Sequence, residues 1–126
     1  MKILIVNGPN LNMLGLREVQ HYGTTTLSDI QERVSVRATN LGVEVDFFQS
    51  NYEGAIVDYL QNNYADASGI IINAGALTHY SVSIHDALKD TRLPIVEIHL
   101  SNIHGREEFR HRSVIAPIAE GQITGL

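Results

Sequence analysis

An α/β fold built on a parallel sheet is what this sequence predicts, and two observations predict it. Short apolar runs alternate with stretches of helical periodicity along the whole chain. Amides, hydroxyls and imidazoles gather just after the apolar runs, the edge at which parallel α/β sheets bind ligands. The first run, Ile3–Val6, reads as a buried strand. Leu27, Ile30, Val34, Ala38 and Leu41 recur at helical spacing, with Gly42 as the stop. Val43–Phe48 is the second strand. Glu53 to about Tyr64 is a helix with Ile56, Val57, Leu60 and Tyr64 on one face. Gly69–Ile72 is the third strand, and Ser81 to about Asp90 the next helix. Pro94–His99 is a fourth strand, with Pro94 at its start, where no ladder donor is needed. Ile115–Ile118 and Gln122–Leu126 carry weaker signals, and the second is a candidate fifth strand.

Right-handed crossovers leave few ways to wind such a series. The expected arrangement is flavodoxin-like: five parallel strands in the order 2-1-3-4-5, helices on both faces, one domain over residues 1–126. The four strand ends can be compared directly. They run into Asn7-Gly8-Pro9-Asn10-Leu11-Asn12, Gln49-Ser50-Asn51, Asn73-Ala74-Gly75-Ala76-Leu77-Thr78-His79, and Glu97-Ile98-His99 with Ser101-Asn102-Ile103-His104. The connections at the opposite edge, Gly42 and Thr91-Arg92-Leu93, hold no such set. The chemistry therefore belongs to one edge of the sheet.

Composition narrows the chemistry. The 126 residues are 44% hydrophobic and 18% charged, which is globular. With no Cys, disulfides, thiolate metal sites and a Cys nucleophile are excluded. A net charge of −5 without a basic run argues against nucleic acid as a partner. No apolar run reaches membrane-spanning length and no signal peptide is evident, so a soluble cytoplasmic protein is expected. There is no Gly-x-Gly-x-x-Gly and no phosphate-loop Lys. The first strand is not followed by a Ser/Thr/Gly flavin-phosphate loop, and the third ends in Asn73 rather than a phospho-accepting Asp. His99 and His104 have no strong zinc spacing and no clear carboxylate partner, so no metal and no cofactor are expected.

What remains is Arg17, Tyr22, Asn10, Asn73, His79, His99, Arg106 and Arg110, a set suited to proton abstraction and general acid catalysis on a polyhydroxy acid. The long connection from Gly8 to Thr26 carries Arg17 and Tyr22 between Gly15 and Gly23, as a lid would. A strand period of two places Glu97 and His99 on one side, which suits an oriented general acid.

At this point a resemblance becomes specific. Asn7-Gly8-Pro9-Asn10-Leu11-Asn12, Arg17-Glu18 with Tyr22-Gly23, Phe48-Gln49-Ser50-Asn51, Asn73-Ala74-Gly75 with Thr78-His79, Glu97-Ile98-His99-Leu100-Ser101-Asn102 and Arg106-Glu107-Glu108-Phe109-Arg110-His111 resemble type II 3-dehydroquinate dehydratases, in one order from residue 2 to 126. The resemblance implies a cofactor-free hydro-lyase that converts 3-dehydroquinate to 3-dehydroshikimate by anti elimination through an enolate, in the shikimate or the quinate pathway. It implies Tyr22 as the base, a tyrosinate, with Arg17 lowering its pKa. Free Tyr at ~10 is scarcely ionised at neutral pH, a deficit of about 4 kcal/mol. One close guanidinium lowers an anion's pKa by ~1–3 units, so Arg110 or loop closure would supply the rest. Asn10, through a water, would stabilise the enolate. His99 would protonate the departing hydroxyl, with Glu97 orienting or charging it. Asn73, His79 and Arg110 would bind ring hydroxyls, and Leu100-Ser101 the carboxylate. Asp86 would be lent to a neighbouring subunit in trimers gathered into dodecamers. Arg106 would order the lid or the site edge.

Three departures from the family pattern bear on these expectations. Val19 stands where Pro usually follows the lid's Arg-Glu, so the lid is expected to be looser. His85 stands where an Arg often precedes the Asp. The chain stops at Leu126, where relatives continue into one more helix. Taken singly, several residues have plainer readings. Asn10 and Asn73 could cap helices or satisfy loop backbone. His79 could be a satisfied helix residue. Arg106 and Arg110, one helical turn apart among Glu107 and Glu108, could form an intrahelical ion-pair face. Gln49-Ser50-Asn51 could shape the site without touching substrate. A different lyase or isomerase, or a non-catalytic anion-binding module of the same fold, would also fit residues of these types.

Overall fold

The structure, a computed structural model, describes residues 1–17 and 19–125, with the backbone only of His21 and Tyr22. Five strands, β1 (Lys2–Asn7), β2 (Glu44–Gln49), β3 (Gly69–Asn73), β4 (Ile95–His99) and β5 (Gly121–Thr124), form one sheet in the order β2-β1-β3-β4-β5. Every neighbouring pair is parallel. Helix α2 (Leu27–Leu41) joins β1 to β2, α3 (Glu53–Asn63) joins β2 to β3, and α4 (Val82–Thr91) joins β3 to β4. The first crossover steps from β1 outward to β2. The second passes back over β1 to β3. Two right-handed crossovers in opposite directions must lie on opposite faces, so α2 covers one face and α3, packed on α4, the other.

The core lies under α3 and α4. Alternate strand positions supply it: Leu4 and Val6 sit in register with Ile70 and Ile72, and Ile95 pairs with Ile70. Against them α3 presents Ile56 and Leu60, and α4 presents Ile84 and Leu88, all essentially inaccessible to solvent. Truncating any of these large aliphatics costs about 2–5 kcal/mol because the cavity collapses only in part. Tyr59 of α3 stacks on Phe48 with ring centroids 4.3 Å apart and donates its hydroxyl to Asp46 at 2.5 Å, which ties α3 to the outer strand β2. The same alternation carries Glu97 onto this buried face, next to Ile72 in register and fully inaccessible.

Local chemistry sets the boundaries. Thr26 and Asp29 form a reciprocal capping box at the start of α2, and Gly42 ends that helix with φ 68°. Ser81 belongs to the cap of α4 rather than to its first turn: its Oγ accepts from Ile84 N at 3.1 Å. Pro94, which has no N–H, precedes β4, while its carbonyl accepts from Ile70 N. Residues 116–118 form a 3-10 turn. The connection from Gly8 to Thr26 is not featureless, since it contains a 3-10 turn (Leu11–Met13) and the single-turn helix α1 (Val19–Tyr22).

One expectation is corrected. Arg106 and Arg110 do not share a helix. Two 3-10 turns, Ile103–Gly105 and Glu108–Arg110, flank extended backbone at Arg106 and Glu107. The ion pair survives as Arg110 Nε to Glu107 at 2.5 Å, with Glu107 half-exposed, and pairs of that kind contribute little to stability. No helix among the described residues is long and apolar enough to cross a membrane.

Candidate active site

Parallel strands end at one edge, so their polar extensions meet there. Asn7 and Asn73 are register partners, and Gly8 N donates to Asn73 O at 2.7 Å. Gly8 is obligatory: a Cβ there would lie 2.2 Å from the Ala74 carbonyl oxygen. Asn10 adopts the left-handed region, φ 70°, and its N–H donates to Asn51 Oδ1 at 3.0 Å. Gln49 Nε2 donates to Gly8 O and to Asn51 Oδ1, both at 3.2 Å. The Gln49–Asn51 pair thus holds the turn that carries Asn10, as the sequence suggested. The Asn10 side chain does not cap the 3-10 turn behind it, so capping does not account for it.

Glu97 and His99 form the most buried polar unit of the site. Glu97 is 0% and His99 5% exposed, and His99 Nε2 lies 2.5 Å from Glu97 Oε2. A carboxylate buried among isoleucines needs a full set of donors. Glu97 has them: Thr78 Oγ1 at 2.6 Å on Oε2, and Ser113 Oγ at 2.8 Å on Oε1 and 2.9 Å on Oε2. Burial works to raise its pKa, but the hydrogen bonds from His99, Thr78 and Ser113 outweigh burial and hold it below the ordinary glutamate value. Glu97 is therefore an anion, and it fixes Nε2 of His99 as a donor. Nδ1 is the ring nitrogen left for proton exchange.

His79 ends the 3-10 turn Gly75–His79, with its ring 6.4 Å from that of His99 and nearly parallel. Its Nδ1 meets the Arg112 carbonyl at 2.7 Å. A carbonyl only accepts, so Nδ1 carries the hydrogen and Nε2 is an acceptor. Burial pushes the His79 pKa down; the Arg112 carbonyl pulls it up, His99 and Arg110 push it down further, and the net shift is downward. His79 is thus a neutral imidazole suited to accept from a hydroxyl. Asn73 Oδ1 accepts from Gly75 N at 3.2 Å, so it does satisfy loop backbone, and its amide N–H groups remain as donors.

These residues line one cavity. Its wall includes Asn10, Arg17, Asn73, His79, His99, Leu100, Ser101, Arg106 and Arg110, with Pro9, Leu11, Leu14 and Ile103 as apolar surface. Arg106 Nη1 donates to Ser101 Oγ at 3.2 Å. Three guanidiniums and neutral amides make a pocket for a hydroxylated carboxylic acid. Of the residues predicted from sequence, nine are brought together here. Glu97 stands behind His99 rather than in the wall. Asp86 is exposed on α4 and is not part of this wall. The Tyr22 side chain and Glu18 lie outside the described residues. Thr78, Ser113 and the Arg112 carbonyl were not singled out for a role from sequence; only the Thr78-His79 pairing hinted at one of them. Among the described residues no group of His, Asp and Glu could hold a metal ion.

Comparison with known proteins agrees with this geometry. A family model described as Dehydroquinase class II matches residues 1–126. The chain is 58% identical over 125 residues to a 3-dehydroquinate dehydratase of Halothermothrix orenii, covering 99% of this chain and 84% of that one. It is 54% identical over 126 residues to a 3-dehydroquinate dehydratase of Herpetosiphon aurantiacus, covering 100% and 88%. Among solved structures, the type II dehydroquinase from Butyrivibrio crossotus superposes with a TM-score of 0.96 at 44% identity, covering 99% of this chain and 88% of that one. The chain belongs to the class II dehydroquinase family.

Proposed function

We propose that this chain dehydrates 3-dehydroquinate in two steps. Tyr22, as a tyrosinate whose pKa Arg17 lowers, takes a proton from C2, and the electron pair moves onto the C3 carbonyl oxygen as an enolate. The enolate then re-forms the ketone, C1=C2 forms, and the C1–O bond breaks as His99 delivers a proton to the departing hydroxyl. Water and 3-dehydroshikimate are the products. Asn10 holds the enolate through a water. Asn73, His79 and Arg110 bind the ring hydroxyls, Leu100-Ser101 takes the carboxylate, and Arg106 secures the site edge through Ser101. Asp86 serves a neighbouring subunit in trimers gathered into a dodecamer, and no cofactor takes part. The reaction belongs to the shikimate or the quinate pathway in the cytoplasm.

The observation that carries this reading is the Glu97–His99 pair. A buried anion holds an imidazole nitrogen at 2.5 Å, and the ring lines a cavity with a neutral His79 and three arginines. General acid catalysis contributes about 10²–10⁴-fold and needs such a positioned donor. The test is ultraviolet absorbance of the conjugated enone after 3-dehydroquinate is added to metal-free protein, with Tyr22→Phe in parallel. Enone growth in the parent chain alone supports the reaction and the base together. Equal rates in both would remove Tyr22 from the mechanism. Binding without turnover in the parent would favour a non-catalytic module instead.

A further inference from the structure

The segment 112–115 contacts His79 directly and reaches His99 through Glu97. The Arg112 carbonyl sets the tautomer of His79. Val114 N donates to Thr78 O at 2.8 Å, and Val114 O meets His85 Nδ1 at 2.6 Å. Ile115 is fully buried in the core, which anchors the segment from below. Between these ties sits Ser113. Its hydroxyl is within bonding distance of both oxygens of Glu97 and 3.1 Å from Thr78 Oγ1. Its oxygen also accepts from Ile115 N at 3.1 Å and Ala116 N at 3.0 Å. With its lone pairs taken by two backbone donors, the hydroxyl acts as a donor, and the Glu97 carboxylate, anionic and nearer than Thr78 Oγ1, is the favoured acceptor.

We propose that Ser113 is a positioning residue for the dehydration: its hydroxyl, oriented by two backbone amides, holds Glu97 ionised and in the rotamer that keeps His99 a proton donor. The argument rests on the dehydratase reading above. Thr78 gives Glu97 a second donor at 2.6 Å, and with both lone pairs of Ser113 Oγ occupied the Thr78 hydroxyl also turns to the carboxylate; Ser113 differs in being fixed by two backbone amides. A buried carboxylate that loses one of two hydroxyl donors gains protons more readily, and the imidazole beside it loses its anionic partner. The charged or titratable groups around the pair are Glu97 and His99 themselves on β4, His79 from the 3-10 turn, and Arg17, Arg106 and Arg110 on the cavity wall. Among the described residues Glu97 is the one anion in contact with His99, and Glu107 is held by Arg110, so the state of Glu97 dominates.

The experiment compares the parent chain, Ser113→Ala, Ser113→Thr and Thr78→Val in the enone assay across pH. For Ser113→Ala, kcat falls about tenfold, in line with loss of a hydrogen bond to a charged group. KM stays within about twofold, since Ser113 is not in the cavity wall, and the acidic limb of the kcat profile moves to higher pH, because Glu97 takes up its proton more readily. Ser113→Thr, which keeps the hydroxyl, recovers the parent profile. Thr78→Val removes a Glu97 donor without touching the two amides; it shifts the limb in the same direction and keeps the inference testable if Ser113→Ala fails to fold. A raised KM with an unmoved profile would mean that Ser113 only braces the segment under His79, and would overturn the inference. So would unchanged kinetics in a parent chain that turns over. No turnover in the parent would overturn the dehydratase reading itself.

Discussion

Replacing Glu97 by Gln isolates the charge of the buried pair while keeping its volume. Glu97 Oε2 accepts from His99, Thr78 and Ser113, and Oε1 accepts from Ser113. The amide has one accepting oxygen, so a nitrogen must face hydroxyl donors on the other side. The hydrogen bond to His99 changes from charge-assisted to neutral. Charge-assisted bonds contribute about 1.5–3 kcal/mol and neutral ones about 0.5–1.5, so the difference is about 1–2 kcal/mol. At ~1.4 kcal/mol per decade, kcat is expected to fall about 5- to 30-fold. KM is expected to hold, because Glu97 stands behind the cavity wall. The alkaline limb of kcat moves to lower pH as the pair loses its anion. Stability has its own signature. The folded-state pKa of Glu97 is depressed below 4.5, so its contribution is present above that value and lost as pH falls through the folded pKa. Thermal melts from pH 7 down to 3 should therefore be flatter in Glu97→Gln than in the parent chain. The enone assay and the melts together decide. A kcat within about twofold of the parent and an unmoved pH profile would refute the charge argument.

Other outcomes follow from single contacts. Gly8→Ala, whose Cβ would meet the Ala74 carbonyl at 2.2 Å, should separate the turns after β1 and β3; loss of turnover and a melting temperature lowered by several degrees, read by enone absorbance and circular dichroism, are expected. Tyr59→Phe keeps the stack on Phe48 and loses the hydrogen bond to Asp46, which should cost about 1–2 kcal/mol in denaturant titrations at neutral pH. The Tyr59 pKa is raised, chiefly by burial and then by Asp46. Its stabilisation is therefore complete below the ordinary value of 10.0 and fades as pH rises beyond it; the gap between the two proteins should narrow there. Thr26→Ala should cost about 1 kcal/mol by removing the capping box of α2, with kcat unchanged.

Signals that act within a few residues were readable without the structure. The helical spacing of Leu27 to Leu41, the stop at Gly42 and the apolar runs of four strands each reflect local geometry, and with handed crossovers imposed they left few sheet orders, of which the expected one is found. The same reasoning put Asn10, Asn73, His79 and His99 at one edge, because parallel strands leave their carboxyl ends together. Glu97 and His99 were legible as a pair for the same reason: a strand repeats every two residues. Spacing failed at Arg106 and Arg110. Four residues apart suits a helix, yet Arg106 is extended and donates to Ser101 five residues earlier, so the loop that follows β4 broke the helical spacing. What only the folded chain decided is the far side of the site. Ser113 reaches Glu97 from 16 residues downstream, and the Arg112 carbonyl reaches His79 from 33 residues away. Neither belongs to a repeating pattern. A serine in a loop signals nothing by itself, and its role appears only when packing brings it against a buried charge.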